Sequence, residues 1–198
     1  AVSPLDFPGI TPKLAVKAGE KVQAGDVLFF DKDRPEVKIC SPVSGEVAEV
    51  KRGAKRKILQ VVVLADSAIT YASHGSFDLK SGDRAAAADH FAKTGVGALI
   101  TSRPYGFVAG MSEEPRDIFV NGVQSGPLAG DLAYQIEGKD AEIAAAIEAL
   151  ALMTTGKVYV SQDADAPSIA ALNHEKATAL TFSGKHPKGL VGSQIAQV

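Results

Sequence analysis

The sequence predicts an α+β chain in two parts, a small all-β unit followed by an α/β domain. Between Lys13 and Asp66, short apolar runs are interrupted about every eight to twelve residues by turn residues, which is typical of antiparallel strands. From Asp83 onward, strand-like and helix-like runs alternate, which predicts a parallel sheet with right-handed crossovers. The predicted divisions are a β domain with an extended lead-in over residues 1–66, a polar linker over 67–82, and the α/β domain over 83–198.

The composition narrows the class of function. The chain has 198 residues, enough to bury a core in one or two domains, and its net charge of −2 argues against general nucleic-acid binding. A single cysteine, Cys40, excludes a disulfide framework and fits a reducing compartment. The sequence contains no membrane-length apolar run, and its first residues lead us to expect no signal peptide. The missing initiator Met and a last segment, Gln194–Val198, that is typical of a strand interior lead us to expect a fragment of a longer chain.

Turn residues define the strands of the β unit. Gly19 and Gly25 stand where the backbone must reverse direction. Ser41–Gly45 is another reversal, and a strand containing Val47 and then the apolar run Ile58–Leu64 follow it. These features predict a compact antiparallel unit.

The same turns resemble those of the barrel-sandwich hybrid fold of lipoyl and biotinyl carrier domains. A carrier presents its modified lysine at the tip of a hairpin. The corresponding tip here is Asp31–Pro35, in which the lysine, Lys32, is shifted and Pro35 stiffens the turn. We therefore predict that Lys32 is an ordinary exposed turn lysine, and a lipoyl or biotinyl carrier ranks third among the alternatives.

A cluster of positive charge lies near the end of the β unit. Five of the seven residues from Lys51 to Lys57 are lysine or arginine, grouped around Gly53. One interpretation is a patch for anions or a membrane surface, and the other is a solvated hairpin. The second interpretation is favoured, because single exposed clusters are common.

Two helices are predicted in the α/β part. The first has Asp83 as its N-cap and runs through Lys93, with Gly95 as its stop. The second, Asp140–Thr155, has Asp140 as its N-cap and a single apolar stripe that contains Ile147. Three strands are predicted in this part: Asp117–Asn121, Lys157–Ser161 and Thr178–Phe182. One helical turn is predicted at Ser168–Asn173.

No catalytic motif is complete. Gly95-x-Gly97 lacks the third glycine of a dinucleotide fingerprint, and Ser183–His186 lacks both the upstream glycine and the hydroxyl residue of a phosphate-binding loop. His174-Glu175 lacks the second histidine of a zinc-protease helix. Cys40 is interpreted as a small core residue. The residues alone therefore indicate no active site.

Several segments resemble the A subunit of the sodium-translocating NADH:quinone reductase. They occur in the same order along nearly the whole chain: Val27–Phe29, Asp31-Lys32, Ser41–Gly45, Arg52–Arg56, Thr101–Pro104, Asp117–Asn121 and Gly184–Gly192. The resemblance implies a peripheral, non-catalytic subunit on the cytoplasmic side of the bacterial inner membrane. The complex would oxidise NADH, reduce quinone and pump sodium ions.

That family is in turn similar to the flavin-carrying subunit of respiratory complex I, which implies a Rossmann-like α/β domain. The glycine-dense loop that approaches the flavin phosphate there corresponds to Lys93–Phe107, which keeps only three glycines. The strand that leads there to acidic cofactor-binding residues ends here in Asn121–Pro127, with no acid before Asp131. We therefore expect no cofactor in this chain, with flavins and an iron–sulfur centre on partner subunits. A flavin- or NADH-binding redox subunit is the second alternative.

Two loops are candidates for a partner surface, because crevices form at the carboxyl ends of parallel strands. They contain Arg103, Pro104 and Tyr105 in one loop and Lys185, His186 and Pro187 in the other. The resemblance implies other subunits of the reductase as partners, especially the quinone-reducing membrane subunit, with quinone itself as a further candidate. The structural alternative is that Arg103 pairs with an acid or a carbonyl group and that His186-Pro187 is only a rigid turn.

Overall fold

The computed structural model describes residues 1–198, which form two compact units. Unit 1 comprises residues 1–77 and 88–113, and unit 2 comprises residues 78–87 and 114–198. Residues 67–77, predicted as linker, belong to unit 1, where the Ala24 amide donates to the Thr70 carbonyl at 2.9 Å. None of the helices has the length and apolarity that crossing a membrane requires.

Unit 1 contains two three-stranded antiparallel sheets, as the punctuated apolar runs predict. One sheet has the strand order β1-β3-β4 and the other β2-β5-β6. The strands are β1 (Pro12–Leu14), β2 (Lys21–Val22), β3 (Val27–Asp31), β4 (Lys38–Cys40), β5 (Gly45–Arg52) and β6 (Ile58–Ala65). The predicted reversals at Gly19 and Gly25 have φ values of 87° and 101°, which only glycine adopts readily.

The core of unit 1 recruits residues from beyond the β strands. Leu28, Phe29 and Val47 are fully buried, and Ala98 and Val108 pack into the same cluster. Ala98 and Val108 belong to the segment that follows helix α1 (Arg84–Thr94). This segment also forms a small antiparallel hairpin of β7 (Thr101–Ser102) and β8 (Phe107–Val108). Residues 88–113 therefore belong to unit 1, on the other side of the boundary that the sequence predicts.

Unit 2 is built on the predicted parallel sheet, with the strand order β11-β10-β9. Its elements are β9 (Ile118–Gly122), α2 (Leu132–Gln135), α3 (Asp140–Leu152), β10 (Val158–Asp163), β11 (Ala177–Phe182) and α4 (Val191–Ile195). The apolar stripe of α3 packs on the sheet, where Ile147, Val158 and Val160 are buried. The predicted fold class, a β unit followed by an α/β domain, is confirmed.

Three local predictions in unit 2 are wrong. The N-cap of α3 is Lys139, because Asp140 already lies in the first helical turn. The helix ends at Leu152, before Thr154, whose hydroxyl shares its proton between the carbonyls of Pro115 and Arg116 at 2.7 and 2.9 Å. The segment from Gln194 onward, predicted as a strand, lies partly in α4, because the Gln194 amide donates to the Leu190 carbonyl at 3.2 Å.

Candidate functional site

The carboxyl ends of the three parallel strands lie at one edge of the sheet. Gly122 of β9 pairs with Gln162 of β10, and Asp163 pairs with Phe182 at the end of β11. In an open α/β sheet this edge is where a nucleotide or another ligand binds. A functional site is therefore expected at this edge.

The chain's own C-terminal strap, defined here as residues 184–195, occupies this edge. The side chain of Asn121, at the end of β9, donates through Nδ2 to the Gly189 carbonyl at 2.7 Å. Its Oδ1 accepts from Gln194 Nε2 at 2.9 Å and from the Val123 amide at 3.0 Å. Both polar ends of the Asn121 side chain are therefore satisfied within the chain.

Gln194 fixes the strap to the sheet. Its side chain is buried, with the residue 1% exposed, and Nε2 donates both to Asn121 Oδ1 and to the Lys188 carbonyl, each at 2.9 Å. A buried amide is tolerated only where its hydrogen bonds are made. Gln194 therefore holds together two parts of the strap and the end of β9.

An ion cluster also connects the strap to the end of β10. Lys188 Nζ lies 2.6 Å from Asp163 Oδ1 and 2.8 Å from Asp165 Oδ2, and the Gly184 amide also donates to Asp165. The hydrogen bonds from Lys188 lower the pKa of both aspartates, and the same bonds raise the pKa of the lysine. Asp163 at the end of β10 and Asp165 beyond it thus share one internal cation, Lys188, which holds both carboxylates to the strap.

Gly189 allows the strap to approach the loop after β9. Its amide donates to Ser125 Oγ at 2.8 Å, and a Cβ at this position would lie 2.5 Å from that oxygen. Ser125 Oγ is also 3.2 Å from His186 Nδ1. Only glycine permits so close an approach of backbone to a neighbouring side chain.

The amides that could bind a phosphate after β9 also have partners. The Gly122 amide donates to Ser161 Oγ at 3.1 Å, and the Val123 amide donates to Asn121 Oδ1. The pocket beneath them has a volume of about 220 Å³, and none of its lining residues is charged. Its apolar lining includes Val120, Leu132, Ile136, Ile143, Ile147 and Leu150. This arrangement is unlike the cradle of free amides that a phosphate requires.

The glycines of the loop after α1 serve packing within unit 1. A Cβ at Gly95 would lie 2.6 Å from Cys40 Sγ, and one at Gly97 would lie 2.7 Å from Met111 Sδ. Cys40 is half-buried, and burial raises the pKa of its thiol, in agreement with a packing role. No group of three or more His, Cys, Asp or Glu side chains is placed to hold a metal ion.

The first candidate loop, Arg103-Pro104-Tyr105, does not follow a parallel strand, so that part of the prediction is wrong. It forms the turn between β7 and β8, which are antiparallel, and belongs to unit 1. Tyr105 is 81% exposed and stacks on Phe107 with ring centroids 6.0 Å apart. Arg103 is exposed and has neither an ion pair nor a side-chain hydrogen bond, so the structural alternative for Arg103 is wrong.

The second candidate loop, Lys185-His186-Pro187, lies in the strap of unit 2, immediately after β11, as predicted. Lys185 and His186 are both exposed. The two candidate loops therefore belong to different units. The buried partner Gln194 was missed by the sequence reasoning, because nothing in its local context marks it.

Lys32 lies on a hairpin tip that hydrogen bonds of its neighbours Asp31 and Arg34 hold to the rest of unit 1. Asp31 is 1% exposed and accepts from the Thr11 amide and from Arg34 Nε, each at 2.9 Å. Arg34 in turn donates to the Val108 carbonyl at 2.7 Å. The tip is thus bound to its own unit and does not project freely like the tip that carries a modified lysine.

Comparison with known proteins adds a family assignment to this geometry. Residues 1–66 match the NqrA N-terminal barrel-sandwich hybrid domain, and residues 82–198 match the NqrA second alpha/beta domain.

Three relatives, each named as the A subunit of a Na(+)-translocating NADH-quinone reductase, are similar to the chain. They come from Saccharophagus degradans, 37% identical over 195 residues, Shewanella frigidimarina, 34% over 198 residues, and Vibrio anguillarum, 33% over 192 residues. The alignments cover 96%, 98% and 96% of this chain. The chain spans 43% of the length of each of these relatives.

Proposed function

Because the chain belongs to the NqrA family, whose members are A subunits of Na(+)-translocating NADH-quinone reductases, we propose that it is part of such a membrane complex. The complex oxidises NADH, reduces quinone and translocates sodium ions. In it this chain is a peripheral, non-catalytic subunit that carries no cofactor of its own. Flavins and an iron–sulfur centre belong to partner subunits. Since NADH is a cytoplasmic substrate, the chain lies on the cytoplasmic side of the bacterial inner membrane.

The occupied edge of the parallel sheet is the observation that carries the non-catalytic role. A flavin phosphate or a ribose at this edge would have to displace Gln194 and the strap around Lys188, whose groups already satisfy Asn121 and Asp163. Of these groups Gln194 is buried, and leaving its amide without a partner costs roughly 1–3 kcal/mol. The strap thus occupies the place at which a nucleotide cofactor would bind to a sheet of this topology.

Titration of the 198-residue chain tests this part of the proposal. Addition of flavin mononucleotide or NADH, followed by fluorescence and calorimetry, is expected to give no saturable binding at micromolar concentrations. A dissociation constant at or below about 1 µM for either ligand, equivalent to about 8 kcal/mol of binding free energy, contradicts the proposal. The second alternative, a redox subunit, would then be favoured.

The turn between β7 and β8 is proposed as a docking surface of unit 1. It presents the exposed Tyr105, stacked on Phe107, and an Arg103 side chain without a partner. Aromatic and arginine side chains dominate the binding energy of protein interfaces. The proposed partner is the quinone-reducing membrane subunit, and this surface is also the proposed point of closest approach to quinone.

The test is substitution in the full-length protein, expressed with its gene cluster. Arg103→Ala combined with Tyr105→Ala is expected to lower the amount of this protein that co-purifies with the membrane complex by about fivefold or more. Tyr71→Ala is the matched control, because Tyr71 is in the same unit and 74% exposed. Retention and quinone reduction equal to those of the control variant would rule out this docking surface.

The strap loop of unit 2 is proposed as a second docking surface. Lys185 and His186 are exposed; Lys185 has no ion pair, and His186 contacts Ser125 Oγ only through Nδ1, which leaves Nε2 for a partner. Lys185→Ala combined with His186→Ala is expected to weaken assembly, whereas Lys176→Ala, an exposed lysine of the same unit, is not. Equal recovery of the two variants in the complex would show that the loop around Pro187 is only structural.

A further inference from the structure

The hairpin formed by β5 and β6 ends in a concentrated positive charge. We call residues 51–57 the basic tip; its cations are Lys51, Arg52, Lys55, Arg56 and Lys57. Residues 50–65 contain these five cations and no acidic residue. The two acidic residues of the hairpin, Glu46 and Glu49, precede this stretch, so five positive charges stand against two negative ones in a hairpin of a chain whose net charge is −2.

The charge of the basic tip is not neutralised within the protein. All five cationic residues are exposed, and none forms an ion pair. In contrast, Arg34 forms an ion pair with Asp31, and Lys188 forms one with Asp163. The basic tip is therefore available to an external anion.

The backbone of the tip does not explain why cations stand there. Lys55 and Arg56 have φ values of 54° and 61°, in the left-handed region. This conformation disfavours residues with a Cβ, and glycine or asparagine would adopt it at lower cost. The Gly53 amide donates to the Lys57 carbonyl at 2.8 Å, and Arg52 Nη1 donates to the Arg56 carbonyl at 3.1 Å, so the turn is closed without the side chains of Lys55 and Arg56. Since the conformation favours other residues, the positive charge itself is what these two side chains contribute.

The surroundings of the tip favour a flat anionic surface as its partner. Residues 50–65 contain no aromatic side chain, so there is no platform on which nucleic-acid bases could stack. The apolar side chain at the start of β6, Ile58, is buried, so the tip offers no large exposed apolar anchor of the kind a protein interface uses. Charge attraction to a plane of phosphate groups requires neither feature.

We propose that the basic tip is a contact site for the anionic phospholipid headgroups of a bilayer. Each lysine or arginine near such a surface strengthens binding by about fivefold, so five of them together strengthen it by about 10³-fold. The attraction is screened over about 10 Å at 0.1 M salt and must therefore weaken as salt is added. The inference rests on the charge of this hairpin and not on the docking loops proposed above.

Flotation of the 198-residue chain with lipid vesicles tests the proposal. The chain is expected to bind vesicles of phosphatidylcholine that contain about one-third phosphatidylglycerol, and not vesicles of phosphatidylcholine alone. The five-fold variant of the basic tip, with every cation replaced by glutamine, is expected to lose about 10³-fold in partitioning. Binding of the wild type should fall steeply between low salt and about 0.5 M salt.

Two further variants keep the result interpretable. The matched control replaces five exposed cations outside the tip by glutamine: Lys17, Lys21, Lys32, Lys80 and Lys139. It has the same net charge as the tip variant and is expected to bind anionic vesicles as tightly as the wild type. A charge-retaining variant, Lys51→Arg, Lys55→Arg and Lys57→Arg, should also bind, and circular dichroism confirms that each variant is folded.

Several outcomes overturn the proposal. Equal loss of binding in the tip variant and the matched control would mean that net charge, and not this site, controls the affinity. The absence of any preference for anionic over neutral vesicles would exclude a lipid contact. Binding to duplex DNA or to inorganic phosphate at concentrations where anionic vesicles do not bind would assign the tip to a different anion. Because none of these measurements involves the assembled complex, they succeed or fail independently of the proposed function.

Discussion

Replacement of Gln194 measures how firmly the C-terminal strap closes the edge of the parallel sheet. Gln194→Met keeps the length of the side chain and removes its amide, so it breaks the bonds to Asn121 Oδ1 and to the Lys188 carbonyl. Asn121 Oδ1 keeps the Val123 amide as a donor, whereas no other protein donor to the Lys188 carbonyl is seen. Losing one ordinary bond and leaving the part-buried Lys188 carbonyl without a protein donor costs about 2 kcal/mol in total.

Two companion variants separate the polar contribution from the packing contribution. Gln194→Ala is expected to cost about 1 kcal/mol more than Gln194→Met, because it also leaves a cavity at a buried position. Gln197→Met is the matched control, since Gln197 is exposed and its Nε2 reaches only the nearby Ser193 carbonyl. The control is expected to change the free energy of unfolding by less than about 0.5 kcal/mol.

Hydrogen exchange followed by mass spectrometry is the suitable assay, because the chain has two units that need not unfold together. Peptides from β9, β10 and β11 should exchange faster in Gln194→Met, while peptides from β5 and β6 in unit 1 should be unchanged. Urea unfolding of the same samples gives the change in the free energy of unfolding. If Gln194→Met behaves like Gln197→Met in both measurements, the strap is not held by Gln194 and the reasoning about a closed edge is refuted.

Two other predictions concern the hairpin tip of unit 1. Burial raises the pKa of Asp31, but the hydrogen bonds from Thr11 and Arg34 outweigh it and hold the pKa below its usual value. This carboxylate therefore contributes stability that is complete above the unfolded-state pKa of about 3.9 and is lost as the pH falls through the lower folded-state value. Urea midpoints measured between about pH 7 and pH 2 should fall less steeply in acid for Asp31→Asn than for the wild type, and parallel curves would contradict the assignment. Separately, intact mass spectrometry of the protein from its native host should show no lipoyl or biotinyl addition on Lys32, because Asp31 and Arg34 bind the tip to its own unit; such an addition would restore the carrier alternative.

The sequence by itself determined the antiparallel strands of residues 13–66 and the parallel strands and main helix of unit 2. Apolar runs broken by Gly19 and Gly25 gave short antiparallel strands, since strand periodicity and turn residues are local properties. Alternation of strands with the stripe that contains Ile147 gave the parallel sheet of unit 2. Short segments that resemble the family and occur in the same order along the chain were enough to indicate the family.

The tertiary structure alone decided what occupies the edge of the sheet and where the candidate loops lie. Gln194 and Asn121 are 73 residues apart, and neither carries a local signal that it will meet the other. The same is true of Val108, which joins the core of unit 1 and so places the neighbouring Arg103 in an antiparallel turn instead of at a parallel strand end. Periodicity and turn chemistry are read over a few residues, whereas these contacts depend on which distant groups must satisfy each other's hydrogen bonds and bury each other's apolar surface.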